Sequence, residues 1–405
     1  MADSFTTTSH TGFFSRIKNA VVGTLLGLIM VPGAIGLLSW NEYRTIHRTR
    51  GLNEGAELVQ SVDDPAIASP QLAGALIHVC GKADTQERLR DDILGVEENA
   101  IRLTRRTDMF QWVEAKKKKK KGNATTETYS YKKEWQSGRV DHSKFKRSNG
   151  HENPGLRFPK ETWEASQVNL GAYTLNNNLK GYISSDEYIE WTSEVFDAIP
   201  ESIRGSSVVD QEYLYWSEKG TPNPNSPELG DHRVRINVVR PTQVSLVAKS
   251  REQKPAQLAP FTTSNGEELE KLYVGEFSAA EVFEKMQNEN SMWAWIFRGG
   301  GFAISFIGFT MIMGVLTAFT DAIPLVGSMT RSVVGFVAFL LAIVLTTLTI
   351  AFAWVAVRPL FAIPLIVVGV AAAVMAWRSS RKKPQQTAPV YASEAPAMLS
   401  PDDVV

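Results

Sequence analysis

Residues 299–377 constrain this chain more than any other stretch. Three apolar runs lie there almost back to back: Gly299–Phe319, Ser332–Val357 and Pro359–Trp377. No Asp, Glu, Lys, Arg or His falls inside any of them. A hydrocarbon core needs roughly 20 helical residues, so each run is long enough to cross one. A fourth uncharged run, Ala20–Trp40, stands alone near the N-terminus. It is long for the apolar region of a signal peptide and lacks a small-x-small cleavage pattern before Asn41-Glu42, so it reads as an uncleaved anchor.

The expected fold class follows. It is an α+β membrane protein with four transmembrane helices, one N-terminal and three C-terminal, and a large β-rich extramembrane domain between the first and second. In chain order this gives a cytoplasmic tail 1–19 and a span 20–40. The domain 41–298 is next, divided into two subdomains near residue 165 (41–165 and 166–298). Spans 299–319, 332–357 and 359–377 and a disordered cytoplasmic tail 378–405 complete it. Lys+Arg and Asp+Glu both number 43, so net charge selects no partner. The single cysteine, Cys80, rules out an intrachain disulfide and sits in the apolar run Leu76–Cys80 as a small buried hydrophobe.

Residues 1–11 are Ser/Thr-rich and expected to be disordered. Pro32 and Gly33 predict a kink within the first span. Residues 41–63 read as a helix, with Leu52, Ala56 and Val59 at helical spacing. Short β-forming stretches follow at Ala75–Cys80, Ala100–Arg105 and Met109–Glu114. The six lysines Lys116–Lys121 lie between Phe110–Val113 and the Tyr129/Tyr131/Trp135 stretch, and read as the solvated tip of a long β-hairpin. Aromatics flank the run without interleaving, so the stacking platform of a nucleic-acid site is missing and no nucleic-acid partner is expected. Residues 137–165 read as loops. Residues 182–200 read as one helix stopped by Pro200, and Val208–Trp216, Arg233–Val239 and Gln243–Lys249 as strands. Ser278-Ala279-Ala280-Glu281 is a capping box. The helix it opens runs through Trp293, Trp295, Phe297 and Arg298 into the second span.

Arg16 and Lys18 before the first span, and the basic stretch Arg378–Lys383 after the last, place both termini in the cytoplasm by the positive-inside rule. The 41–298 domain is then periplasmic or lumenal. Arg44, Arg48 and Arg50 follow the first span and argue against this assignment.

No catalytic, cofactor-binding or metal-ligating set emerges. His10, His47, His78, His142, His151 and His232 fall at no metal-ligand spacing, and His151-Glu152-Asn153-Pro154 lacks a second histidine. There is no Walker-type loop and no G-x-S-x-G elbow. Gly299-Gly300-Gly301 enters an apolar span, where small residues allow close helix packing. The spans carry no ionisable group of the kind a proton or ion relay uses. Thr346, Thr347 and Thr349 are their main polar cluster.

These motifs and this layout together resemble the LUMA (transmembrane protein 43) family. The stretches that carry the resemblance are Asn41-Glu42, Glu54-Gly55, Met109–Glu114, Tyr129–Tyr131 leading to Glu134-Trp135, and Asn153-Pro154. Further on come Gly230-Asp231 with Arg233-Val234, Pro260-Phe261, Gly275–Phe283, Asn290–Met292 and Arg358-Pro359-Leu360. The resemblance implies a multi-pass protein that organises membrane protein complexes, self-associates and has no established enzymatic activity. It also implies an endoplasmic reticulum or inner nuclear membrane location with lamina and emerin-type partners. The lysine run and the longer Pro/Ala-rich tail depart from the family pattern. The short spans and basic tail suit a bacterial inner membrane as well, so the chain is read as a bacterial or distant member; in a bacterium lamina partners cannot apply. The expected function is a non-catalytic membrane scaffold or sensor whose partners are the lipid bilayer, itself and other membrane proteins. The alternative is an oligomeric channel or membrane-permeabilising effector built from the Thr-bearing spans.

Overall fold

The computed structural model describes residues 3–10, 12–121, 124–254, 256–320, 324–357 and 374–375. The main elements are β1 (Asp3–His10), α1 (Phe13–Leu58), β2 (Leu76–Asp84), β3 (Arg102–Lys121) and β4 (Ala124–Ser137). They continue with β5 (Ser207–Asp210), β6 (Tyr213–Trp216), β7 (His232–Val239), β8 (Thr242–Ser250), β9 (Lys271–Val274), α2 (Ala279–Ile312) and α3 (Pro324–Val357). The protein is mixed α and β, with a β-rich middle region between apolar helices. Three helical stretches among the described residues are long and apolar enough to cross a membrane: Ile17–Leu58, Ala279–Ile312 and Ser332–Val355. The expected span 359–377, the hinge at Arg358-Pro359-Leu360 and the tail 378–405 lie outside the described residues, apart from Val374 and Met375.

Two sheets build the middle region. The first runs β1-β4-β3-β7-β6-β5, with Glu161–Glu164 also paired to β3. The second centres on the antiparallel pair β2–β8 and adds β9 beside β8. Each sheet takes strands from both sides of residue 165, so a division of the chain at that residue does not describe them. The reason lies in β7 and β8. This adjacent pair sends one strand to each sheet, β7 against β3 and β8 against β2. Alternation then sorts the side chains. Along β7, His232, Val234, Ile236 and Val238 are buried while Arg233, Arg235 and Asn237 are less so, as a period of two requires.

Three apolar clusters fill the interior. One packs on the second sheet around Ile77, Val79, Leu170, Tyr173, Val244 and Leu246. Another packs on the first sheet around Leu94, Leu103, Phe158, Leu214, Val234 and Ile236. The third joins Leu52 of α1, Val282, Phe283 and Met286 of α2, and Leu76 and Val247 of the second sheet. This last cluster ties the long helices to the β region.

Three expectations are corrected. Residues 3–10 are a strand, paired antiparallel with Ala124–Tyr131 of β4; a Ser/Thr-rich segment finds its ladder partner some 120 positions away, which local composition does not reveal. From Arg102 on, the two stretches Ala100–Arg105 and Met109–Glu114 belong to one continuous strand through Lys121, whose lysines pair along β4 as the end of the hairpin. Residues 182–200 are not one helix. Ile189 N–H donates to Ile236 O and Tyr188 bridges Asn237, so this part is extended against β7. Beyond Tyr182, the end of the short helix Asn177–Tyr182, only Ser193–Asp197 is helical there, and Pro200 caps a further turn, Glu201–Arg204.

A buried ion pair and a buried histidine fix the first sheet. Arg105 and Asp91 are both fully buried and bonded to each other. Arg105 also reaches Pro159 O at 2.9 Å and Glu161 at 2.9 Å. Removing Arg105 strands the buried Asp91 carboxylate, so Arg105→Met should cost about 3–5 kcal/mol in thermal unfolding, and an Asp91→Leu/Arg105→Met pair should recover most of it. His232 accepts from Arg157 N–H through Nε2 at 3.1 Å and packs edge-on against Phe158 and Trp216. Burial lowers its pKa to about 4. A depressed histidine contributes its full stability above the unfolded value near 6.5 and loses it as pH falls toward 4, a change on the order of 3 kcal/mol. Unfolding measured across that window should therefore be steeper in pH for the native chain than for His232→Gln.

Candidate functional site at the membrane boundary

α1 and α2 are antiparallel and each crosses the water–lipid boundary without a break. α1 has 46 residues, including Pro32, and so is about 69 Å long at 1.5 Å per residue. α2 has 34 residues and starts at the predicted capping box, where the Ser278 side chain accepts from Glu281 N–H and the Glu281 side chain bonds the Ser278 backbone in return. Its buried residues Val282, Met286, Asn290, Ala294, Gly301, Ser305 and Gly308 fall on one stripe, which faces α1 along its whole length.

Inside the apolar part the contact depends on small residues. A Cβ on Gly27 would meet Gly308 O at 2.5 Å, and a Cβ on Gly301 would meet Leu38 at 2.5 Å. At Gly27 the backbones are thus too close for a side chain, and at Gly301 the Leu38 side chain fills the space a side chain would need. Thr24 Oγ1 donates across the pair to Met311 O or Ile312 O, each at 3.2 Å. With no hydrophobic drive between helices in lipid, such packing and bonding must hold the pair. Phe302 and Phe306 of α2 pack edge-on against Phe339 of α3.

At the boundary the contact turns polar. Asn41 Nδ2 donates to Ala294 O at 3.2 Å. Arg298 grips Glu42 with two bonds, Nε to Oε1 at 2.7 Å and Nη2 to Oε2 at 2.8 Å; Glu42 is 1% exposed. One turn further, Asn290 Nδ2 donates to Thr45 O at 3.0 Å and Thr49 Oγ1 at 3.1 Å. Arg48 pairs with Glu267 and donates to Glu268 O, tying α1 to the β region. Trp40, Trp293 and Trp295 stand exposed around this collar, as aromatic rings do at headgroup depth. Arg48, one of the arginines that argue against a translocated domain, thus has a structural use: it neutralises a carboxylate of that domain.

The residues singled out from the sequence do not converge. His151 stacks on Tyr131 at 4.1 Å and lies edge-on to Trp112 at 4.7 Å, an aromatic cluster. No group of three or more His, Cys, Asp or Glu residues could hold a metal among the described residues. Cys80 is partly buried and its Sγ lies 3.4 Å from Ser245 Oγ. Thr349 Oγ1 donates to Leu345 O in its own helix at 2.7 Å. Lys116 and Lys118 pair with Glu127 across the hairpin. The collar itself escaped the sequence reading. Asn41-Glu42 and Arg298 stood out separately, but nothing in one chain announces that positions 256 apart form a pair.

The helix pairing predicts a contrast. Gly27→Leu should separate α1 from α2 and lower stability in detergent by about 1–3 kcal/mol, the usual cost of overpacking. Gly33→Leu, whose added Cβ meets nothing within 4 Å, should leave the unfolding midpoint unchanged.

The family model described as Transmembrane protein 43 matches residues 109–359. Human transmembrane protein 43 is 31% identical over 380 residues, covering 90% of this chain and 91% of its own. The mouse protein is 31% identical over 366 residues, with 87% and 88% covered. The Drosophila melanogaster homolog is 28% identical over 365 residues, with 85% and 91% covered. No solved structure matches the chain. With its apolar helices and these relatives, the chain is a membrane protein that belongs to the transmembrane protein 43 family.

Proposed function

We propose that this protein is a non-catalytic membrane scaffold that presents the 41–298 domain to partners at a fixed stance on the bilayer. One observation carries the reading: α1 and α2 run unbroken from the apolar zone into the β region and are locked there by the Glu42–Arg298 and Arg48–Glu267 pairs. A chain built only to tether a domain needs no such stiffness; a flexible linker suffices. The partners are other copies of the chain and other membrane proteins, reached through the domain and the lipid-facing sides of the spans.

In this reading both termini are cytoplasmic and the domain lies on the periplasmic or lumenal side. That arrangement and the β1–β4 ladder exclude one another, because the ladder holds residues 3–10 on a strand of the domain. In a bilayer the balance favours crossing, with residues 3–10 leaving β4. Of Asp3–Ser9 only Phe5 is even partly buried, and an exposed edge strand gains little. The Ala20–Trp40 run has ten Val, Leu and Ile residues, each worth roughly 0.3–0.6 kcal/mol in the bilayer.

In a Cys80→Ser background, Thr6→Cys and Thr128→Cys sit at partnered ladder positions. No disulfide between them is expected in proteoliposomes, and a bond formed there in high yield would overturn the crossing. The scaffold role is tested by energy transfer between labels at Asn225→Cys in reconstituted membranes. Transfer should rise with protein density in the bilayer while planar-bilayer conductance stays at background. Density-independent transfer with a robust conductance, lost on altering Thr346 or Thr347, would move the reading to a channel.

A further inference from the structure

Arg44 stands apart from the other cations of the collar. Arg298 is taken up by Glu42, and Arg48 and His47 by Glu267. Arg44 Nε and Nη2 are shielded from solvent and have no hydrogen-bond partner. The side-chain oxygens beside it on α1, Asn41 Oδ1 and Thr45 Oγ1, are unpartnered as well, so neither accepts from it. What holds the guanidinium is aromatic: its carbon lies 5.8 Å from the Trp40 ring centroid and 5.4 Å from that of Phe297. Glu267 stabilises the charge from a distance but is itself bonded to Arg48, so the collar carries a guanidinium with no bonded counter-ion among the described residues, oriented by two rings. Leaving such donors unmet is costly, which argues that something outside the chain meets them.

Position says what that is. Arg44 lies four residues, one helical turn, past Trp40, the last residue of an uncharged 21-residue apolar run. Trp40, Tyr43, Trp293 and Trp295 are 47–67% exposed around it, which marks headgroup depth. At that depth the abundant acceptor is the phosphodiester of a lipid. A guanidinium fork matches phosphate with two parallel bonds. Arg44 is only partly buried, so a side-chain rotation brings the fork to the headgroup layer.

We propose that Arg44 anchors a phosphate site at the α1–α2 collar, filled by the headgroup of an anionic phospholipid. The site needs only the membrane setting of the collar and holds whether or not the scaffold reading does. A net charge of −1 on the lipid cancels the one unmatched cation, which a zwitterionic headgroup does not.

The test uses the full chain in nanodiscs of phosphatidylcholine with a minority of phosphatidylglycerol, and counts retained lipids by native mass spectrometry after release. The native chain should retain phosphatidylglycerol above its share of the disc. Arg44→Gln should lose that enrichment by about tenfold, the equivalent of one charge-assisted bond, and Arg44→Lys should keep part of it. Arg90→Gln removes an exposed cation of the β region (59% exposed) and should change nothing. Equal thermal midpoints for the native chain and Arg44→Gln verify that folding is intact. Millimolar inorganic phosphate distinguishes the two phosphate sources. Enrichment that resists it assigns the site to lipid; enrichment displaced by it, together with a phosphate adduct on the native chain, keeps the phosphate site but gives it to the free ion. Equal enrichment in the native chain and Arg44→Gln overturns the proposal, as does an equal loss in Arg44→Gln and Arg90→Gln.

Discussion

The contact between α1 and α2 is the constraint on which the rest depends. It is built in two chemistries along one line. In the apolar zone it consists of absences: Gly27 and Gly308 let the backbones approach, and Gly301 makes room for Leu38. At the boundary it consists of polar matches: Asn41 to Ala294, Glu42 to Arg298, Asn290 to Thr45. Past the boundary it becomes a hydrophobic core shared with the second sheet through Leu52, Phe283 and Val247. Each chemistry suits its solvent: close packing in lipid, charge-assisted bonds at the interface, burial of apolar area in water. One antiparallel register satisfies all three, and slipping it by a turn would break them together.

What the sequence made legible was what local chemistry decides. Uncharged length declared the spans. Ser278 and Glu281 declared a helix start that the structure reproduces bond for bond. Alternation along Arg233–Val239 declared a half-buried strand, because a period of two depends only on the residues themselves. The tip lysines were also readable, since six like charges can end a hairpin but cannot enter a core.

What stayed hidden was whatever another part of the chain decides. Residues 182–200 have enough apolar positions for a helix, yet Ile189 is drawn out along β7 by a backbone bond to Ile236. Residues 3–10 look like a tail until β4 is beside them. Glu42 and Arg298 read as two boundary charges, and their pairing needed the helix register. The collar was thus half-legible: its residue types and depth were visible, its partnerships were not. Arg44 illustrates the point. In the sequence it counted against the orientation; in the structure its guanidinium has aromatic neighbours but no hydrogen-bond or ion-pair partner among the described residues.

The continuity of α1 has a mechanical consequence. Leu58 lies 28 residues beyond Met30, near the middle of the apolar run, so it stands about 42 Å from the bilayer centre along a rigid rod. A helix pair in a thinner bilayer tilts to hide its apolar length. Tilting this pair by about 10° would carry the Leu58 end sideways by roughly 7 Å, and the third cluster would drag the second sheet with it. The bilayer centre is then the pivot of a lever whose inner arm feels lipid thickness and whose outer arm moves a protein surface. A helix pair of this length couples the thickness of the bilayer to the position of a surface outside it.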